Sequence, residues 1–79
     1  MDLKEKIGAR IVQLRKEKKL TQQKFAYAAD MERTFLTHIE KGRKNISVGT
    51  LERLLNALEV SLREFFDDDI FSNNKKKKA

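Results

Sequence analysis

The stretch Leu20–Gly42, LTQQKFAYAADMERTFLTHIEKG, decides the fold of this chain. It predicts two short helices joined by a tight turn. Thr21 is a typical N-cap for the first helix, because its hydroxyl can accept a hydrogen bond from a free backbone N–H group. Gly42 favours the left-handed conformation that ends many helices, and so predicts the end of the second. Asp30 lies in the turn between them and tolerates a positive φ better than most residues.

The second predicted helix has two contrasting faces. At 100° per residue, Phe35, Leu36 and Ile39 fall on one side and predict its buried face. The opposite side carries polar and basic side chains: Arg33, Thr34, Thr37 and Lys41, with His38 at its edge. These residue types hydrogen-bond to base edges and phosphates in DNA. The face therefore predicts contact with DNA, and an ordinary solvated helix start is the alternative.

Composition narrows the class of protein. A chain of 79 residues supports one small domain. The net charge is +6, but four of the positive charges belong to Lys75–Lys78, so residues 1–74 carry only +2. The absence of cysteine argues against disulfides and thiol metal sites, and the lone His38 makes a metal site improbable. No signal peptide or membrane-length apolar run is visible, so we expect a cytoplasmic protein without metal or cofactor.

Three further helices flank the central pair. Asp2 and Glu5 have capping-box spacing at the start of the first, and Ser61 and Glu64 have it at the start of the last. Ser47 can cap the fourth. Apolar residues follow helical spacing in the first helix, at Leu3, Ile7, Ile11 and Leu14, and form an apolar stripe in the fourth, at Leu51, Leu54, Leu55 and Leu58. Leu62, Phe65 and Phe66 are expected to face inward in the fifth. The prediction is an all-α, five-helix domain over residues 1–69 and a tail over residues 70–79, disordered beyond Phe71.

Several local motifs together resemble the helix-turn-helix of the lambda-repressor and Cro-like family, often called XRE. They are Leu20-Thr21-Gln22, Phe25-Ala26, Ile39-Glu40-Lys41-Gly42, the upstream Leu14-Arg15, and the downstream Thr50-Leu51 and Ala57-Leu58-Glu59-Val60. The resemblance spans about residues 5 to 66. Ile46 departs from it where many relatives have proline, and Asp30 where glycine is usual. The resemblance implies a lambda-repressor-like domain that regulates transcription as a homodimer on pseudo-palindromic double-stranded DNA.

The resemblance also implies a role for individual residues. Arg33, Thr34 and Thr37 would read bases, whereas His38 is equally placed for a base, a phosphate or water. The residues expected at phosphates are Gln22, Lys41, Arg43, Lys44 and Asn45. Arg15 and Glu40 would form an ion pair inside the domain. Tyr27 is as consistent with surface packing as with an approach to the DNA backbone.

The C-terminal part has an apolar surplus, which predicts a dimer interface. Val60, Phe66, Ile70 and Phe71 are difficult to place inside so small a domain, and the family usually pairs through its C-terminal helices. The alternative is that these residues fold back onto their own chain. The aspartates at 67–69 suggest a cation site, although a short acidic run is more often solvated. Lys75–Lys78 are expected to be a solubilising tail rather than a DNA tether.

The size and layout resemble the controller proteins of restriction–modification systems. The alternative function is an antitoxin-like module that binds a toxin and autoregulates its operon. An enzyme is not expected, because the sequence contains no nucleophile–base pair, carboxylate dyad, glycine-rich phosphate loop or metal-ligand cluster. No ligand-binding domain accompanies the motif, so no small-molecule ligand is expected.

Overall fold

The computed structural model describes residues 1–72, and within them the fold is entirely helical. The α-helices are α1 (Leu3–Glu17), α2 (Gln22–Ala28), α3 (Arg33–Glu40), α4 (Val48–Leu58) and α5 (Leu62–Phe66), followed by a 3-10 helix at Asp69–Phe71. The predicted five-helix, all-α fold class is confirmed. The predicted disorder beyond Phe71 and the Lys75–Lys78 tail concern residues that, apart from Ser72, lie outside the described part of the chain.

Side-chain caps fix where four of the helices begin. Asp2 and Glu5 form a reciprocal capping box at α1. Thr21, Ser47 and Ser61 each accept a hydrogen bond from the backbone N–H three residues later, at α2, α4 and α5. Helix α3 differs, because its N-cap Glu32 makes no side-chain capping bond. The first turn of α3 therefore keeps backbone N–H groups that have no cap.

Left-handed residues end the first four helices. They are Lys19, Asp30, Gly42 and Glu59, with φ between 57° and 75°. At Gly42 the N–H groups of residues 42 and 43 donate to the carbonyls of Ile39 and His38, which is a Schellman motif. Glycine is needed there for a second reason, since a Cβ would lie 2.8 Å from the Cα of Glu5. The chain can therefore turn out of α3 directly against the first turn of α1.

One apolar core joins all five α-helices. Its fully buried side chains are Ile11, Phe25, Leu36, Leu54 and Phe65 at the centre, with Leu14, Ala26, Ala29, Ile39, Leu55, Leu58 and Val60 around them. The prediction for α5 is only partly right: Phe65 is buried, whereas Leu62 is 62% exposed and Phe66 39% exposed. A five-residue helix on the rim can bury only the side of its single turn that meets the core.

The apolar C-terminal residues have different surroundings. Val60 is 7% exposed and packs in the core of its own chain, which leaves it little surface for a second chain. Phe71 packs against the same core and lies 4.8 Å from Phe66, centroid to centroid. Ile70 is half-buried. The predicted domain end at Asp69 thus falls inside a packed segment that continues to Phe71.

A buried arginine holds this segment, and the sequence analysis missed it. Arg10 is 7% exposed and donates to the carbonyls of Glu64 and Phe65, both at 2.8 Å. It also contacts the Asp68 carboxylate at 3.2 Å and the Gln13 side chain at 2.9 Å. Asp68 in turn accepts from the N–H of Ile70, so this aspartate of the acidic run has a structural role. Arg10 thereby ties α1 to the end of α5.

Glycine at position 8 sets the distance between α1 and α3. A Cβ on Gly8 would collide with the carbonyl oxygen of Ile39 and lie 2.9 Å from that of Glu40. These obstacles are backbone atoms at the end of α3, so no flexible side chain can move aside. The contact fixes the position of α3 relative to the longest helix of the domain.

We predict that Gly8→Ala lowers the free energy of unfolding by about 1–3 kcal/mol, because α1 and α3 must separate to admit the methyl group. Gly49→Ala is the matched control: Gly49 is also helical, and the atom nearest to its added Cβ is 3.8 Å away. It should be neutral or add about 0.4–1 kcal/mol. Denaturant titration of both variants measures the difference, and equal stabilities would contradict the close contact.

Candidate nucleic-acid interface

Helix α3 presents a polar surface on the side away from the core. Leu36 and Ile39 are buried, whereas Arg33 and Thr34 in the first turn are exposed. Thr37 and His38, one turn further, are half-buried. The four polar residues proposed from the sequence thus share the outer side of α3, but only two of them are freely exposed. We refer to Arg33, Thr34, Thr37 and His38 as the outer face of α3.

A hydrogen-bonded ion pair lies beneath this face. Arg15 Nε donates to Glu40 Oε2 at 2.7 Å, and Arg15 Nη2 donates to Glu40 Oε1 at 3.2 Å. The third guanidinium nitrogen donates to the Leu20 carbonyl at 2.9 Å. The Glu40 side chain is only 4% exposed and that of Arg15 12%. Through these bonds Arg15 connects α1, the segment that precedes α2 and the end of α3.

Gln22 continues this arrangement toward the outer face. Its amide nitrogen donates to Glu40 Oε1 at 2.9 Å, and its amide oxygen lies 3.4 Å from the hydroxyl of Thr37. Thr37 also donates to the carbonyl of Arg33 at 3.0 Å. Gln22 is therefore half-buried between α2 and α3, with its amide nitrogen bonded to Glu40 and its amide oxygen facing the Thr37 hydroxyl.

A basic loop follows α3. We use this name for residues 41–45, in which Lys41, Arg43, Lys44 and Asn45 are exposed around the buried Gly42. Lys44 and Asn45 also line a small groove together with Lys4 from the first turn of α1. Lys4 gives no signal in the sequence, because the groove forms only when α1 packs beside the loop.

Lys4 is already paired. Its ammonium lies 2.6 Å from the Asp2 carboxylate, which raises the pKa of Lys4. The same contact, together with the hydrogen bond from the Glu5 N–H, lowers the pKa of Asp2. Both charges are solvent-exposed, so this pair contributes little to folding.

Tyr27, the remaining residue considered for contact with the DNA backbone, lies at the periphery. Tyr27 is 88% exposed and borders a shallow concavity with Asp30 and Glu32.

Within residues 1–72 no cluster of three potential metal ligands occurs. No helix of this part of the chain combines the length and apolar character needed to cross a bilayer.

Comparison with known families identifies the arrangement. Residues 11–65 match the family model described as Helix-turn-helix. The chain belongs to the helix-turn-helix family. The matched residues contain α2, α3, the Arg15–Glu40 pair and the basic loop.

Similar proteins of this family include restriction–modification control proteins. Control protein C.MunI from Mycoplasma sp is 40% identical over 68 residues, which cover 85% of this chain and 92% of that protein. Control protein C.BamHI from Bacillus amyloliquefaciens is 32% identical over 90% of this chain and 89% of its own length. The controller protein C.Esp1396I, solved as a tetramer with its natural 35 base-pair operator, is 34% identical, covers 85% of this chain and 88% of its own, and superposes with a TM-score of 0.80.

The ion pair beneath the outer face should be strongly coupled. We predict that Arg15→Ala or Glu40→Ala alone costs about 3–5 kcal/mol of unfolding free energy, because each leaves the other charge buried without its partner. The double variant should cost less than the sum of the two, with an interaction energy in the range of about 0.5–3 kcal/mol. Denaturant titration of the four proteins measures this cycle.

The exposed Asp2–Lys4 pair provides the control. It has comparable contact distance but is surrounded by solvent, so the corresponding cycle with Asp2→Ala and Lys4→Ala should show little coupling. Additive costs at Arg15 and Glu40 would mean that the buried pair does not link α1 to α3 energetically.

Proposed function

We propose that this protein is a sequence-specific transcriptional regulator that binds double-stranded DNA as a homodimer, in the manner of a restriction–modification controller. The observation that carries the proposal is the outer face of α3. This polar side of the helix points away from the core and is followed directly by the basic loop. Family membership and the similarity to control proteins support it. Its place of action would be the cytoplasm.

Base reading would begin at the first turn of α3. In helix-turn-helix proteins the N-terminal residues of the second helix reach base edges in the major groove. Arg33 and Thr34 occupy the first two positions of α3 and are exposed. An arginine there can contact both major-groove acceptors of guanine. His38 is half-buried and would contact a base, a phosphate or water.

Phosphate contacts would set the register of the protein on DNA. Lys41, Arg43, Lys44 and Asn45 surround the turn at Gly42, and Gln22 lies at the start of α2. The charged contacts of Lys41, Arg43 and Lys44 would neutralise phosphates and release counterions, so they would strengthen binding to every sequence and make it depend on salt. The uncharged Gln22 and Asn45 would add hydrogen bonds only. Since residues 1–74 carry only +2 overall, this local cluster matters more than net charge.

Arg33 provides the most direct test of base reading. We predict that Arg33→Ala weakens binding by about 1–3 kcal/mol for each half-site and relaxes the preference at one base position in each half-site. Selection of bound sequences from random DNA, followed by titration of the selected site, measures both effects. A variant that keeps its affinity and its base preference would contradict the assignment.

Lys44→Ala is the matched comparison for Arg33→Ala, because it also removes one exposed positive charge. It should weaken binding to all sequences about equally and reduce the slope of log affinity against log salt by about 1 for each protomer bound. A loss confined to one base position would exclude a phosphate role for Lys44.

An exposed apolar surface on α4 and α5 supports the dimer. Leu62 and Phe66 are four residues apart and share one side of α5. A groove of about 270 Å³ lies between α4 and Leu62 and is lined by Val48, Leu51 and Leu55 of α4 and by Val60. Val48 is 86% exposed and Leu62 is 62% exposed. We propose that a second copy of the chain covers this surface about a two-fold axis.

This surface modifies the interface expected from the sequence. Phe66 remains in it, but Val60 and Phe71 pack in their own chain and would act by supporting the exposed residues. Ile70, which is half-buried, would lie at the margin. Two copies related in this way would read half-sites about 34–36 Å apart. Linking two half-sites raises affinity through effective concentration, which a single copy lacks.

We predict a dimer at micromolar concentration in equilibrium sedimentation, and Leu62→Glu or Phe66→Glu should convert it to monomer. Leu3→Glu is the control: Leu3 is 61% exposed, but it lines the groove beside the basic loop, which shares no lining residue with the groove on α4. The control should stay dimeric. Unchanged helical circular dichroism would show that the fold is intact, and a wild-type chain that remains monomeric at high concentration would exclude the mechanism.

A further inference from the structure

The hydrogen-bonding capacity of Thr37 is restricted by its surroundings. A threonine hydroxyl has one hydrogen to donate and two lone pairs that accept. Within the protein the Thr37 oxygen has two polar neighbours, the Arg33 carbonyl at 3.0 Å and the Gln22 amide oxygen at 3.4 Å. Both neighbours are acceptors. Whichever one Thr37 bonds, its single hydrogen is used inside the protein.

The buried ion pair determines which end of the Gln22 amide faces Thr37. An amide side chain can present either its oxygen or its NH₂ group, so Gln22 could in principle face Thr37 with a donor. Glu40 prevents this, because its carboxylate, held by the donor-only Arg15, can only accept. The Gln22 nitrogen must therefore face Glu40, at 2.9 Å, and its oxygen must face Thr37. Arg15 thus influences, through Glu40 and Gln22, whether the Thr37 hydroxyl is a donor or an acceptor toward DNA.

We propose that Thr37 is a specificity residue that presents only an acceptor to DNA, so that it contacts the exocyclic amino group of a cytosine or an adenine. This inference rests on the proposed function, because it requires that the outer face of α3 lie in the major groove. There, each base pair offers one amino donor, on cytosine N4 or adenine N6, beside acceptors such as purine N7. A free serine or threonine could pair with either kind of group. Thr37 is limited to the amino donor.

The test first finds the base pair that Thr37 faces. Bound sequences are selected from random DNA by the wild type and by Thr37→Val, which keeps the shape of the side chain and removes the hydroxyl. The base pair whose preference relaxes in the variant is the one in contact. Thr37→Ser, which retains the hydroxyl, should keep that preference. Thermal unfolding monitored by circular dichroism checks that the variants are folded.

The second step removes single groups from that base pair. A pyrimidin-2-one nucleotide in place of cytosine, or a purine nucleotide in place of adenine, lacks only the amino group. Because the amino group also pairs with the opposite base, its removal perturbs the duplex for both proteins. Wild-type binding should therefore weaken roughly 3- to 10-fold more than that of Thr37→Val for each half-site altered, which is the value of one hydrogen bond. A 7-deaza purine, which lacks the N7 acceptor, should affect both proteins equally.

Two outcomes would overturn the proposal. In one, the loss on removing N7 depends on Thr37 and the loss on removing the amino group does not. In the other, Thr37→Val relaxes no base position. If Arg33→Ala still relaxes a position in that second case, the proposed function survives and only the role of Thr37 is excluded. If the wild type itself selects no sequence, the proposed function fails first.

Discussion

The buried pair of Arg15 and Glu40 is the constraint on which the placement of the other elements depends. It is formed by residues 25 positions apart in sequence and, together with the Gln22–Glu40 hydrogen bond, connects the end of α1, the start of α2 and the end of α3. A carboxylate with 4% exposure is stable in that place only because the guanidinium and the Gln22 amide satisfy it. Gly8 acts beside it, since it lets the backbones of α1 and α3 touch. The buried ion pair and the close backbone contact at Gly8 together fix the position of α3 relative to α1.

Local signals in the sequence predicted the helical framework well. Asp2, Thr21, Ser47 and Ser61 begin their helices as expected, because an N-cap depends on groups only two or three residues away. The left-handed conformation of Asp30 and Gly42 was predictable for the same reason. The outer face of α3 also followed from helical periodicity, although periodicity did not reveal that Thr37 is tied to Gln22.

Residues at the periphery were harder to predict, because their burial depends on what covers them. Leu62 and Val60 are two residues apart, yet one is exposed and the other is in the core. Arg10 carried a usable signal: it falls on the same helical stripe as Ile7 and Leu14, where a charge requires partners. Those partners, the carbonyls of Glu64 and Phe65 and the side chain of Asp68, are more than fifty residues away, and no local pattern identifies them.

The Arg10 contact shows that the family motif and the stably folded domain do not end at the same residue. The part of the chain that matches the helix-turn-helix family ends at residue 65. A fragment cut at that point would retain the outer face of α3, the basic loop and the ion pair, yet it would leave the buried guanidinium of Arg10 without the Asp68 carboxylate. The smallest piece that contains the motif is therefore shorter than the smallest piece with its buried charges satisfied. A truncation or a fusion junction should therefore be placed after Phe71, whose ring packs against Phe65 and the core.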